Sequence, residues 1–143
     1  MNARIAVDTS VLVAAFQPWH EEHVRARGAL DRCLETEAPL IPSHALLETY
    51  SVLTRMPGAW RMASGDAFEL IDRTLRGAAE VVSLGPETLD LLAGLSGAGV
   101  AGGAVYDAEI AETAARAGAR RLLTLNRSHF ERLAPAGLEI VEP

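Results

Sequence analysis

Three carboxylates spread widely along the chain, Asp8, Glu48 and Asp107, are the residues whose chemistry most needs an explanation. Asp8 interrupts the apolar run Ile5-Ala6-Val7-Asp8-Thr9-Ser10-Val11-Leu12-Val13, together with two hydroxyls. Asp107 falls in the middle of the small-residue side of an amphipathic segment. Carboxylates that met in one place would repel one another, and some would take up protons unless a divalent cation lay between them. All-oxygen ligation selects hard ions such as Mg²⁺ or Mn²⁺, and Mg²⁺ accepts few protein ligands while keeping water. A site of that kind suits phosphodiester cleavage. The ion activates a water, orients the phosphate and offsets charge on the pentavalent transition state and the leaving oxygen. Either one ion or two would fit three acids.

The elements that must carry these groups are legible to different degrees. A continuous apolar run bounded by turn residues predicts a strand over 5–7 buried on both faces, as in a parallel sheet covered by helices. Ligands collect beyond the carboxyl ends of such strands, where Asp8 emerges with Thr9 and Ser10. Ser10 is placed to cap a short helix over 11–16, and capping alone would also explain this trio. At about 100° per residue, a helix over 104–117 puts Val105, Glu109, Glu112 and Arg116 on one side. The opposite side carries Ala104, Ile110, Ala111, Ala114 and Ala115, with Asp107 among them. A carboxylate on a core-facing stripe is costly unless it is paired, hydrogen-bonded or bound to a cation. Glu109 and Glu112 read as a solvated face, with Glu112 and Arg116 in the favourable order for a surface pair.

Glu48 is predicted to be exposed on its own pattern. The apolar stripe of a helix over 44–55 is Leu46, Leu47, Tyr50 and Leu53, and Glu48 points nearly opposite. Asn126 follows an apolar strand over 122–125 much as Asp8 follows the first strand, so both would end at one edge of a parallel sheet. A turn asparagine accounts for that position equally well.

The remaining chain alternates helix and strand. Helices are predicted over 21–34, over 44–55 after a Ser43 cap, from Ser64 to Leu75 and over 87–95, and Gly118 closes the helix over 104–117. Strands are predicted over 40–42, 81–84, 122–125 and 138–141, with a helical turn over 129–133 between the last two. That order predicts an α/β fold with a mainly parallel central sheet and helices on both faces.

With 143 residues, 49% of them hydrophobic, the chain is expected to form a single domain over 1–143 around one core. No apolar stretch approaches the roughly 18 residues that span a bilayer, and no leader pattern opens the chain, so a soluble cytoplasmic protein is expected. Cys33 is the only cysteine, which excludes an internal disulfide and a cysteine-based zinc site. A formal charge of −6 argues against a broad basic surface, although all 13 basic residues are arginines able to make forked contacts to phosphate or carboxylate.

Several competing signals fail on context. Gly97-Ala98-Gly99-Val100-Ala101-Gly102 matches a dinucleotide fingerprint, but no strand precedes it and no acid stands about 20 residues on. His20 and His23 lack a third convergent metal ligand, and His44 and His129 are isolated. Ser10 lacks the glycine-flanked elbow of a hydrolase nucleophile. Phe16, Trp19, Trp60 and Phe68 are too scattered for a base-stacking platform and are expected to pack in the core or an interface.

Four pieces of the chain together carry a resemblance. They are Val7-Asp8-Thr9-Ser10-Val11-Leu12, Leu46-Leu47-Glu48-Thr49-Tyr50-Ser51-Val52-Leu53-Thr54-Arg55, Tyr106-Asp107-Ala108-Glu109-Ile110-Ala111 and Leu123-Thr124-Leu125-Asn126-Arg127-Ser128-His129-Phe130. In order and spacing, the chain resembles the PIN-domain ribonucleases, most closely the VapC toxins of bacterial toxin–antitoxin pairs. The resemblance implies a PIN-like three-layer α/β sandwich and Mg²⁺- or Mn²⁺-dependent endoribonuclease activity on RNA. It further implies a homodimer neutralised by a VapB-like antitoxin. Asp8, Glu48 and Asp107 fall on the family's acidic, metal-binding positions, Ser10 on its small polar position, and Thr124 and Asn126 on its last motif. The resemblance thus makes Glu48 functional where its own pattern did not. One departure is Asn126, where many relatives carry a fourth acid; an amide oxygen binds a cation more weakly than a carboxylate. A catalytically weak scaffold that holds RNA or protein is the alternative.

Overall fold

The computed structural model describes residues 4–143. A single five-stranded sheet has the order β3-β2-β1-β4-β5, and all four pairings are parallel. Its strands are β1 (Arg4–Val7), β2 (Leu40–Pro42), β3 (Glu80–Val82), β4 (Ala119–Leu123) and β5 (Glu139–Val141). The α-helices among the described residues are α1 (Thr9–Phe16), α2 (His23–Thr36), α3 (Ser43–Arg55), α4 (Ser64–Leu75), α5 (Thr88–Gly97), α6 (Ala104–Arg116) and α7 (Arg127–Glu131). The alternation predicted from the sequence is therefore present, and the sheet is parallel throughout.

β1 lies at the centre because it can be buried on both faces. Successive strand residues point to opposite sides of a sheet, and Ile5, Ala6 and Val7 are all buried. Around them pack Leu12, Phe16, Leu30, Leu40, Ile41, Leu53, Ile110, Leu122 and Phe130, all buried. Each such side chain contributes about 1.5–3 kcal/mol relative to exposure. Cys33 belongs to the same core, and burial pushes its thiol up to about 11, so it is an inert packing residue. No helix among the described residues is long and apolar enough to cross a membrane.

From β1 the chain builds outward through β2 and β3 on one side, then returns to add β4 and β5 on the other. The order reverses between β1 and β4, and a parallel sheet leaves a crevice at such a switch point. Registration of Val7 opposite Leu123 brings Asp8 and Thr124 out side by side at that crevice.

Element boundaries differ from expectation where capping was misassigned. α1 starts at Thr9, and Asp8, not Ser10, is its N-cap, accepting from the Ser10 amide. Ser43 is the first residue of α3, not its cap, whereas Ser64 opens α4 as predicted. Ser43 Oγ instead accepts from Ser83 Oγ at 2.9 Å. β4 ends at Leu123, although Thr124 N still bonds the Val141 carbonyl at 2.9 Å, and Leu125 N turns to Ser10 Oγ. Gly118, at φ +97°, does end α6 as predicted: its left-handed backbone lets its N–H bond the Ala115 carbonyl.

Candidate active site

Asp8 is held by a knot of hydroxyls that the β1–β4 register creates. Ser10 Oγ and Thr124 Oγ1 each donate to Asp8 Oδ2 at 2.8 Å, and the Ser10 amide approaches the same oxygen at 3.4 Å. Each hydroxyl in turn accepts from the backbone, Ser10 Oγ from Leu125 N at 2.9 Å and Thr124 Oγ1 from Asn126 N at 3.0 Å. The two hydroxyls also lie 3.2 Å from each other, so Asp8, Ser10 and Thr124 form one closed hydrogen-bonded cluster. Burial of Asp8 pushes its carboxyl above the usual carboxylate range, opposed by the Ser10 and Thr124 hydrogen bonds. The site pays to keep a negative charge there.

Asp107 stands in the first turn of α6, where the helix dipole favours a carboxylate. Burial raises its pKa first and the charge of Asp8 raises it further; His129 opposes, Glu48 raises and His44 opposes. His129 Nδ1 lies 3.8 Å from Asp107 Oδ2. As the small-residue stripe predicted, α6 turns Ala108, Ile110, Ala111, Thr113 and Ala114 into the core. Its end at the sheet edge leaves Asp107 at the mouth of the crevice.

Glu48 corrects the reading of its helix. The residues of α3 that are buried are Ala45, Thr49 and Leu53, whereas Leu47 is 71% exposed. α3 packs on its small side, so the Leu46, Leu47 and Tyr50 stripe lines an outer groove with Phe68, Ile71 and Val81. Glu48 is consequently half-buried, with Val52, in the wall of the cleft that also contains Asp8, Ser10, Asp107, Leu125 and Asn126. That open cleft measures about 540 Å³. His20, Glu21 and Glu22, on the turn before α2, form another part of its lining.

Glu109 also departs from the solvated face expected of it. It is half-buried, 3.6 Å from His44 Nδ1, whose ring stacks on Tyr106 at a centroid distance of 4.8 Å. Glu112 pairs with Arg116 at 2.7 Å as predicted. His23 turns its Nδ1 to the Ala14 carbonyl at 2.9 Å and His20 Nδ1 accepts from Glu22 N, so both rings are held by local backbone contacts. The glycine stretch forms the end of α5 and a loop beyond it, with no strand before it, and lines a hollow beside Asp107, His129 and Arg132. Sequence reasoning missed His44 and His129 because nothing local ties a lone histidine to an acid far along the chain. It also missed that Trp19 and Trp60 stack at 4.5 Å.

The donor set is all oxygen, and two of its acids are held above their usual range, Asp8 by burial and Asp107 by burial and by the charges of Asp8 and Glu48. Among the described residues no three acidic, histidine or cysteine side chains form a ready-made metal cage. Asp8, Glu48 and Asp107 thus line a shared cleft in which Asp8 and Glu48 raise the pKa of Asp107. That fits an ion bound by one or two carboxylates and several waters, the habit of Mg²⁺.

A family model described as the PIN domain matches residues 5–135. The chain belongs to the PIN-domain family. Over 124 residues it is 41% identical to Ribonuclease VapC40 of Mycobacterium tuberculosis (strain CDC 1551 / Oshkosh), covering 82% of this chain and 84% of the relative. Over 115 residues it is 40% identical to Ribonuclease VapC27 of Mycobacterium tuberculosis (strain ATCC 25618 / H37Rv), covering 80% of each. The fold of this PIN domain is matched by a chain of VapBC2 from Rickettsia felis, solved bound to a promoter DNA fragment. The TM-score is 0.67 at 17% identity, over 97% of this chain and 98% of that one. A chain of DNA-bound VapBC from Salmonella typhimurium matches with a TM-score of 0.64 at 22% identity, over 99% and 98%.

Proposed function

We propose that this PIN domain is a divalent-metal-dependent endoribonuclease, the toxin of a type II toxin–antitoxin pair, acting as one domain. The observation that carries the reading is the cleft at the β1–β4 switch point, where Asp8, Glu48 and Asp107 line one wall set and two of them are held above their ordinary pKa. Kinship to proteins named ribonucleases sets the substrate as RNA. The VapBC assemblies that share the fold support a VapB-like antitoxin as partner.

Asp8 and Asp107 would hold Mg²⁺ or Mn²⁺, with Glu48 binding it or ordering the attacking water. When bound, the ion supplies Lewis-acid activation of water and offsets charge on the phosphate. The chain's own residues do the rest. Ser10 and Thr124 favour the ionised form of Asp8 and hold its carboxylate in place, because both hydroxyls donate to Oδ2. Asn126 contributes an amide at the cleft where many relatives have an acid. His129, beside Asp107, limits the net negative charge that an incoming phosphate meets.

Asn126 is also what favours a second reading, a scaffold that binds RNA without cutting. One assay separates the two. Cleavage of RNA that requires added Mn²⁺, stops with chelator and is lost in Asp8→Asn supports the nuclease. Binding without cleavage under those conditions supports the scaffold.

A further inference from the structure

We propose that Trp19 and Trp60 form a stacking platform for an unpaired nucleobase of the RNA held in the cleft, an inference that rests on the nuclease reading. The two rings come from segments far apart in sequence, yet they stack at a centroid distance of 4.5 Å and an interplanar angle of 18°. Instead of being hidden by this contact, Trp19 remains 40% exposed and Trp60 52% exposed. Two tryptophans left this wet forgo the burial that normally accounts for so large an apolar side chain.

Their position ties them to the cleft. Trp19 immediately precedes His20, which with Glu21 and Glu22 lines the cleft that contains Asp8, Glu48 and Asp107. The Trp19 and His20 rings lie 6.1 Å apart. Both tryptophans also sit on ordered turns. On one side Pro18 precedes Trp19, and the His20 and His23 amides bond the Gln17 and His20 carbonyls. On the other, Trp60 ends a 3₁₀ turn, Gly58–Trp60, which opens on Gly58 at φ +58°. That turn is secured by Met62 N to the Leu53 carbonyl and Arg61 Nε to the Met56 carbonyl. The aromatic surface is therefore ordered before any ligand arrives, which lowers the entropic cost of binding.

The charge of this region selects a base over a phosphate. Glu21 and Glu22 lie in the cleft wall here, and Glu22 already engages Arg25 at 2.9 Å. Carboxylates repel a phosphate, but not the neutral face of a nucleobase. Stacking on an aromatic side chain is open to every base, so the platform would orient a single strand without dictating its sequence.

The chain has only these two tryptophans, so fluorescence excited selectively at tryptophan, beyond the absorption of Tyr50 and Tyr106, reports on the pair alone. In the Asp8→Asn background, titration with a single-stranded RNA oligonucleotide in Mg²⁺ should quench the emission saturably. In the otherwise intact enzyme, Trp60→Leu or Trp19→Leu should raise KM about tenfold, with kcat within about twofold, and Trp60→Phe should restore most of the loss. Should the leucine variants fail to fold, the titration decides, since it needs no aromatic substitution. Cleavage by the intact protein with no quenching, or with KM unchanged in folded leucine variants, would overturn the platform and leave the nuclease reading standing. Quenching without any cleavage by the intact protein would keep the platform and sink the nuclease. Neither quenching nor cleavage would sink both.

Discussion

Asp8 and Asp107 share one cleft, yet they are held in different ways. Asp8 is 3% exposed and takes three hydrogen bonds on one oxygen, two from Ser10 just beyond it and one from Thr124, which the β1–β4 register aligns. The Asp107 side chain is 31% exposed, reaches the cleft from a helix end, and has His129 Nδ1 at 3.8 Å as its basic neighbour. One carboxylate is fixed by the sheet; the other has room to adjust. The difference teaches that a cleft assembled from distant segments can combine one carboxylate anchored by hydrogen bonds with a second, more exposed one that follows.

The strongest way to break this comparison is to neutralise the anchor. Asp8→Asn should reduce RNA cleavage about 1000-fold, measured by single-turnover kinetics in Mn²⁺. Its thermal midpoint should hold or rise, because an amide oxygen can accept the same hydroxyl protons and a buried charge is removed. A variant that still cuts would mean that Asp8 is merely the cap of α1. Asp107→Asn should cost less, about 100-fold, since a more exposed ligand is more easily replaced by water. Equal losses would dissolve the distinction between anchor and follower.

Loosening the knot sharpens the same point. Ser10→Ala strands the Leu125 amide, and Thr124→Val strands that of Asn126. Either should lower stability by about 1–3 kcal/mol in denaturant titration, with a smaller effect on rate than removing either aspartate.

The pH dependence follows from the two raised acids. A carboxyl whose folded pKa lies above its unfolded value of 3.8 contributes its stability fully below that value and loses it as pH rises through the folded pKa. The thermal midpoint of the metal-free protein should therefore carry a falling component from these two groups as pH rises above 3.8. Saturating Mn²⁺ should flatten that component, and cleavage should rise over the same interval as the ligands ionise. A component that rises with pH and is indifferent to Mn²⁺ would contradict the assigned cause. The smallest effect is expected of Asn126→Asp. A further carboxylate should lower the Mn²⁺ concentration needed for activation by about threefold, while adding repulsion that lowers the metal-free midpoint.

Much of this arrangement was legible residue by residue. Ile5, Ala6 and Val7 announce a strand buried on both faces, Asp8 a polar group at its carboxyl end, and Gly118 the end of α6. Asp107 is out of place on an apolar stripe whichever way the helix is drawn, because a helix has one period and the stripe is made of close neighbours. Glu48 was legible only through family resemblance. Its own helix offers a stripe of large apolar residues, Leu46, Leu47, Tyr50 and Leu53, and a smaller side around Ala45 and Val52, and periodicity favours the larger side chains. α3 in fact buries Ala45, Thr49 and Leu53, because small side chains let it approach its neighbours closely.

What the sequence by itself determined, then, are the elements, their alternation, and the positions at which a carboxylate is anomalous, since these depend on residues a few places apart. What only the tertiary structure decided are contacts between residues far apart in the chain: Thr124 Oγ1 on Asp8 Oδ2 across 116 positions, His129 beside Asp107, and Trp19 on Trp60. Strand register and helix rotation set such contacts, and both are outcomes of packing the whole core at once, which no local pattern encodes.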